Sequence, residues 1–243
     1  IGLLLCLFHR RRLLLEELDA ITGREAVLGP AHRERIEALF DELSEPAVIG
    51  QFVQALEDGA IDPDTESTSL FLTRLRQTAI PVLLRAVETT ASRAVRELLQ
   101  PAADRVARDH PEAVVRLLSD GDDVVVAGAA RSLGRIRETR AASALVRLLT
   151  HPTERARLAA VEALIAMRSG PALEGLKRAL VDGSRDVRIA AARGLGALRY
   201  APARGHLESL LSGKAVREAD LTEKLAFFEA YAQLAGPAGV AFL

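Results

Sequence analysis

The chain has 243 residues, of which 49% are hydrophobic and 4% aromatic, and its formal net charge is −1. Ala and Leu dominate, and no alternating runs of Val, Ile or Thr compete with them, so the composition excludes a β-sheet protein and favours helices packed closely on helices. A single cysteine, Cys6, excludes an internal disulfide, so we expect a reducing compartment and a cytoplasmic protein.

The chain begins with an apolar run, residues 1–8, which the basic stretch 9–12 follows. So short a run cannot cross a bilayer, and we expect no membrane span here. A signal peptide would carry its basic residues before the apolar run, which is the opposite order. Because the first residue is not methionine, the sequence indicates a piece cut from a longer protein, and an upstream membrane helix stays open as an alternative.

Residues 1–60 are predicted to form an N-terminal helical region of degenerate hairpins. Gly23 ends one helix, and Pro30 and Pro46 open the next two. Apolar residues recur at helical spacing behind each proline. Residues 61–69 are the most polar stretch of the chain, so we predict a loop there and a boundary between subregions.

Residues 70–243 are predicted to form an array of repeated helical hairpins, each with a first and a second helix. Leu133, Leu164 and Leu195 lie 31 residues apart, and the residues around them repeat with the same step. Such a period is typical of a solenoid, in which each unit buries its apolar face against its neighbours. The clearest units are 121–151, 152–182 and 183–213. Residues 227–234 continue the pattern of 191–198 if about five residues are inserted near 214–220.

The unit 183–213 carries the residues by which the repeat resembles a known family. Asp186-Val187-Arg188 is followed by three alanines at 190–192 and by Gly194-Leu195-Gly196. This pattern resembles the short bacterial HEAT repeat, also called the phycobilisome-lyase-like HEAT repeat, over residues 90–243 and more weakly over 30–90. The resemblance implies an all-α fold, a right-handed α-solenoid of antiparallel helical hairpins of the armadillo and HEAT type. Tetratricopeptide repeats fit less well, because their period is about 34 residues and each unit begins with a large aromatic residue.

Glycine and arginine mark the turns of the repeat. Gly121 and Gly183 occupy equivalent turns, where we expect the left-handed backbone of a helix C-cap. Three arginines recur where each first helix ends: Arg137, Arg168 and Arg199. A cation in this place offsets the negative end of the helix dipole, so we expect these arginines to be structural.

Two further sets of arginines are candidate functional residues. The HEAT resemblance implies that Arg157 and Arg188 form a structural ladder between units, with Asp186 as the acidic partner. A second set lies on the second helices, which line the concave face in HEAT-like solenoids: Arg116, Arg147 and Arg178. Neighbouring layers stack about 10 Å apart, so this second set would span about 20 Å. That length suits an acidic helix, an acidic tail or a phosphate backbone, although a plain solvated face is the alternative.

Enzyme functions find no support in the residues, and we expect no catalysis, no cofactor and no metal. The chain has no Trp, which HEAT-like alkylpurine DNA glycosylases use to hold the damaged nucleotide. None of its five His is followed by Glu, unlike the di-iron site of the HEAT-like deoxyhypusine hydroxylase, and the five are scattered. The sequence also lacks a glycine-rich phosphate loop.

The predicted function is therefore a scaffold that binds a protein partner along the concave face of the solenoid, and the arginines there allow an acidic partner. Nucleic-acid binding is an alternative, because residues 124–204 carry 15 basic and 6 acidic side chains, an excess of nine positive charges. A chromophore lyase or chaperone like the phycobilin lyases is a second alternative, because these enzymes share the repeat.

Overall fold

The computed structural model describes residues 30–62 and 66–236, and within them the secondary structure consists of helices and turns without strands. The apolar run 1–8, the helix predicted to end at Gly23 and residues 237–243 lie outside the described residues. The chain divides into two compact units between His110 and Pro111. None of the described helices is long and apolar enough to cross a membrane.

The first unit contains five α-helices in its described residues: α1 (Pro30–Leu43), α2 (Pro46–Glu57), α3 (Glu66–Thr73), α4 (Ile80–Thr89) and α5 (Arg93–Asp109). As predicted, Pro30 and Pro46 open α1 and α2, since proline at the first helical position loses no intrahelical hydrogen bond. Between α2 and α3, the rings of Phe52 and Phe71 pack with their centroids 4.8 Å apart. These helices therefore share one apolar core.

The polar stretch 61–69 differs from the loop predicted there. Helix α3 begins at Glu66, so the last four residues of the stretch are helical. The hydroxyl of Thr68 donates a hydrogen bond of 3.1 Å to the carbonyl of Asp62, so this side chain ties the helix back to the loop. The two compact units divide at residue 110 and not in this stretch, because the helices on both sides of it pack together.

The second unit contains nine α-helices in its described residues: α6 (Pro111–Arg116), α7 (Asp123–Arg135), α8 (Ala142–Leu148), α9 (Glu154–Met167), α10 (Gly170–Ala179), α11 (Arg185–Ala197), α12 (Arg204–Ser212), α13 (Lys214–Glu218) and α14 (Leu221–Ala235). The pairs α7 and α8, α9 and α10, and α11 and α12 fall within 121–151, 152–182 and 183–213. Helix α13 occupies the position of the insertion predicted near 214–220.

Leucines spaced by the repeat form the core of the second unit. Leu133, Leu164 and Leu195 of the first helices are fully buried, and so are the second-helix leucines Leu145, Leu176 and Leu207. Glycine lets the first helices approach closely, since a Cβ on Gly134 would lie 2.6 Å from the Cα of Ala163. The all-α solenoid of helical hairpins is thus confirmed, and its layers are held by apolar packing between successive first helices.

The expected left-handed glycines are wrong, because neither Gly121 nor Gly183 has a positive φ. The left-handed backbone lies instead at the end of each first helix, with φ of 53° at Arg137, 52° at Arg168 and 50° at Arg199. Around Arg199, the N–H of Tyr200 donates to the carbonyl of Leu195 at 3.1 Å, which closes the helix end. Arg168 is therefore the C-cap residue of α9, while Arg137 and Arg199 directly follow the C-cap residues of α7 and α11, and at all three the backbone reverses the chain.

A candidate interaction face on the second helices

We call the exposed side of α6, α8, α10 and α12 the second-helix face. Arg116, Arg147 and Arg178 lie on α6, α8 and α10 at 31-residue steps, and all three are exposed. Within the part of the chain that the structure describes, none of the three forms an ion pair. Three exposed guanidinium groups without an ion pair, one on each of three consecutive layers, therefore face solvent.

Each of these arginines borders a cleft, which lies between neighbouring second helices at Arg147 and Arg178 and between α6 and residues 138–141 at Arg116. Arg116 borders a cleft of about 330 Å³, Arg147 one of about 340 Å³, and Arg178 one of about 380 Å³. The first two clefts share Val115, so they adjoin each other along α6. Apolar residues also line the clefts: Val115, Leu118, Ala144, Leu148 and Val181. The face thus combines apolar grooves with regularly spaced cations.

Two acidic side chains in these clefts form close ion pairs with cations other than Arg116, Arg147 and Arg178. A hydrogen bond from Arg140 lowers the pKa of Glu138 below its ordinary value, and a hydrogen bond from Lys177 lowers that of Glu174. The nitrogen–oxygen distances of these pairs are 2.8 Å and 2.6 Å. Positive charge is therefore in excess in the Arg147 and Arg178 clefts, while in the Arg116 cleft Glu112 and Glu138 balance the charges of Arg116 and Arg140.

The sequence did not single out the two histidines beside these arginines. His151 lines the Arg147 cleft, and His206 lines the Arg178 cleft from α12. The Nδ1 of His151 lies 2.9 Å from the hydroxyl of Thr153 and helps to order the turn before α9. Helix α8 ends at Leu148, so His151 lies in the turn after it, and helical spacing in the sequence could not have placed it here.

The structural ladder of Arg157 and Arg188 has acidic partners other than the one expected. Arg157 donates to both carboxylate oxygens of Asp182, at 2.8 and 3.0 Å. Arg188 likewise donates to both oxygens of Glu223, at 2.5 and 2.8 Å. Asp186 lies exposed in the first turn of α11 and is not the partner.

Each ladder arginine also binds the turn that precedes its helix. Arg157 donates to the carbonyls of His151 and Pro152, and Arg188 donates to those of Asp182 and Gly183. The guanidinium can do this because it offers five donors in a planar fork. Both guanidinium groups bind other groups of the protein, so Arg157 and Arg188 stabilise the packing of the repeat and are not part of the second-helix face.

Metal chemistry has no ready place in the described part of the chain, where no three His, Cys, Asp or Glu side chains cluster as metal ligands. The geometry offers clefts, cations and apolar walls. Such a surface can bind a partner without transforming it.

A comparison with known protein families agrees with the helical hairpins. Residues 80–165 match the family described as HEAT repeats, which confirms the HEAT-repeat resemblance over that stretch. No curated protein matches the sequence. Among solved structures, an engineered protein from the Northeast Structural Genomics Consortium is 18% identical, with a TM-score of 0.48, and the match covers 82% of this chain and 96% of that one.

Proposed function

We propose that this protein is a non-catalytic scaffold that binds an acidic protein partner along the second-helix face, the face expected to be concave. HEAT-repeat solenoids are typical of protein-interaction scaffolds. The observation that carries the proposal is the set of exposed arginines, Arg116, Arg147 and Arg178, each beside its own cleft and none in an ion pair among the described residues.

An extended acidic segment fits this arrangement for a physical reason. Guanidinium groups bind carboxylates through two parallel hydrogen bonds, so each arginine favours one Asp or Glu of the partner. A helix or tail that runs across the layers would meet one arginine per layer. Its apolar side chains would enter the clefts beside Val115, Leu148 and Val181. We therefore expect an amphipathic partner with acidic residues at regular spacing.

A protein partner is favoured over nucleic acid because several arginines already form ion pairs within the protein. Of the basic side chains in 124–204, Arg131, Arg157 and Arg188 are already paired with carboxylates. Internal pairing lowers the positive charge that a phosphate backbone would meet. The binding test below includes duplex DNA, so that this alternative has its own outcome.

The test compares two double charge reversals. One changes the second-helix face, Arg147→Glu with Arg178→Glu. The control changes two exposed arginines on first helices, Arg155→Glu with Arg193→Glu, and alters the net charge equally. The probes are a fluorescent amphipathic helical peptide, with Glu placed once per turn beside Leu, and a duplex of about 20 base pairs, which spans roughly two turns. Fluorescence anisotropy gives both dissociation constants.

We expect the first double variant to weaken peptide binding at least tenfold, about 1.4 kcal/mol, while the control stays close to the unchanged protein. Equal losses in the two variants would contradict a defined face and leave only non-specific attraction. Tighter binding of the duplex than of the peptide, with affinity falling steeply as salt rises, would replace the proposal with nucleic-acid binding.

A further inference from the structure

The three clefts of the second-helix face differ in the positive charge that they offer. In the cleft at Arg116, two glutamates balance the two arginines of its lining. In the cleft at Arg147, the ring of His151 is already engaged, because its Nδ1 accepts the N–H of Thr153 at 3.3 Å and its Nε2 lies 4.0 Å from a carboxylate oxygen of Asp123. Among the described residues, neither cleft therefore offers an unengaged basic side chain besides its own arginine.

The cleft at Arg178 is different, because three basic side chains line it. Lys177 and Arg178 come from α10, and His206 comes from α12. The carboxylate of Glu174 also lines this cleft, where it pairs with Lys177 at 2.6 Å and accepts a hydrogen bond of 3.3 Å from the hydroxyl of Tyr200. Arg178 and His206 are both exposed, and neither forms an ion pair in the part of the chain that the structure describes.

The net charge of the Arg178 cleft depends on the protonation of His206. With a neutral imidazole, the two cations and one carboxylate from α10 leave one positive charge, and a protonated imidazole raises this to two. On the same helix as His206, Arg204 and Glu208 pair with each other at 2.9 Å and add no net charge. Histidine changes its charge near neutral pH, and a nearby anion favours the protonated form. A doubly charged anion would therefore meet two positive charges here, whereas a single carboxylate would use one.

We propose that the Arg178 cleft anchors a phosphorylated serine or threonine of the acidic partner. This inference rests on the proposed function, because it names the residue by which the same partner is held. A phosphoryl group carries about 1.5 to 2 negative charges at pH 7 and three acceptor oxygens, more than the single charge of Asp or Glu. Two oxygens can accept the parallel donors of Arg178, and the third can accept from the protonated ring of His206. Val181 lines the same cleft and is 61% exposed, so it offers an apolar contact beside the phosphoryl group.

The test uses three versions of the fluorescent amphipathic peptide, with Ser, Glu or phosphoserine at one central position, and measures each dissociation constant at about pH 7. We expect the phosphoserine peptide to bind the unchanged protein about tenfold tighter than the Glu peptide, because it adds a second charge-assisted contact. His206→Gln should remove this advantage without weakening the Glu peptide, and His206→Lys, which carries a fixed charge, should keep it.

The matched control is His110→Gln, because His110 lines none of the three clefts. It should leave the phosphoserine advantage intact. Since His206 is exposed, circular dichroism should show both of its variants folded. Duplex DNA tests phosphate from another source: its phosphodiesters carry one charge each, so its affinity should not change with His206→Gln.

The possible failures of this experiment are distinguishable. Equal affinities of the Glu and phosphoserine peptides for the unchanged protein would overturn the phosphoryl anchor and leave the proposed function standing. If none of the three peptides bound, the proposed function and the anchor would fail together. An advantage of phosphoserine that survives His206→Gln would place the phosphoryl group outside the Arg178 cleft. Equal losses for the duplex and the phosphoserine peptide in this variant would assign the cleft to nucleic acid instead.

Discussion

The left-handed arginines show how one backbone angle defines a residue's role. Arg137, Arg168 and Arg199 each follow a first helix with φ between 50° and 53°. A side chain at positive φ brings its Cβ close to the following carbonyl oxygen, which disfavours every residue except glycine, and to a lesser degree Asn and Asp. The repeat therefore places arginine where glycine would cost less in backbone energy.

Because of this strain, we predict that glycine stabilises the protein more than alanine does at these positions, the reverse of their order inside a helix. At Arg199 we expect the glycine variant to be more stable than the alanine variant by about 0.5–1 kcal/mol, since both remove the cation and alanine alone keeps the Cβ. Arg193, exposed within α11, is the control, and there alanine should be more stable by about the same amount. Urea denaturation measures both differences. The same order at both positions would show that residue 199 is not left-handed.

The sequence located these arginines but gave them a different role. Their 31-residue spacing and place after an apolar helix were enough to predict a helix end. The left-handed backbone was predicted at Gly121 and Gly183 instead, because glycine is the usual residue in a left-handed helix C-cap. The sequence could not show that Leu195 and Tyr200 close the helix around Arg199, since this backbone hydrogen bond involves no distinctive side chain.

At the scale of helices, charged side chains join elements that apolar packing has already placed together. Arg188 of α11 and Glu223 of α14 form a bidentate pair whose side chains are 25% and 6% exposed. Because the carboxylate is almost fully desolvated, loss of either partner leaves an uncompensated group inside the structure. This pair should therefore stabilise the contact between two layers more than a surface pair would.

A double-mutant cycle over Arg188→Ala and Glu223→Ala measures that contribution. We expect a coupling free energy of about 1.5–3 kcal/mol, the range for charge-assisted hydrogen bonds, and the cycle removes the separate loss of the carbonyl contacts. The pair of Lys214 and Glu218 on α13 provides the comparison, since its side chains are 83% and 67% exposed and 3.5 Å apart. Its coupling should stay below about 0.5 kcal/mol. Similar values for the two pairs would contradict the framework role of Arg188.

The sequence predicted the positions of the helices better than it predicted the acidic partners of Arg157 and Arg188. Pro30, Pro46 and the 31-residue step placed helix starts and hairpins because proline and apolar spacing act locally. Asp182 and Glu223 were missed because they lie 25 and 35 residues from the arginines that they bind. Asp182 lies in a turn and Glu223 in a helix, so no fixed spacing in the sequence indicates that they are the partners.

At the scale of the whole chain, composition proved a poor guide to the division between units. The polar stretch 61–69 reads as a linker, yet the helices before and after it share the contact of Phe52 with Phe71. The division at residue 110 falls at His110-Pro111, between α5 and α6, where the polar run, residues 108–112, is shorter than 61–69. What decides the division is which apolar faces pack together, and that information is spread over the chain.

Layered packing predicts which helices of the second unit a substitution in the core destabilises. Leu164 of α9 is fully buried, so Leu164→Ala should lower the free energy of unfolding by about 2–5 kcal/mol. Each layer covers its neighbours, so amide hydrogen exchange should accelerate in α7 and α11 as well as in α9. Leu83→Ala in α4, also fully buried, should instead accelerate exchange within residues 30–110. Equal acceleration over both units from either change would mean that the chain unfolds as one cooperative globule and not as two units.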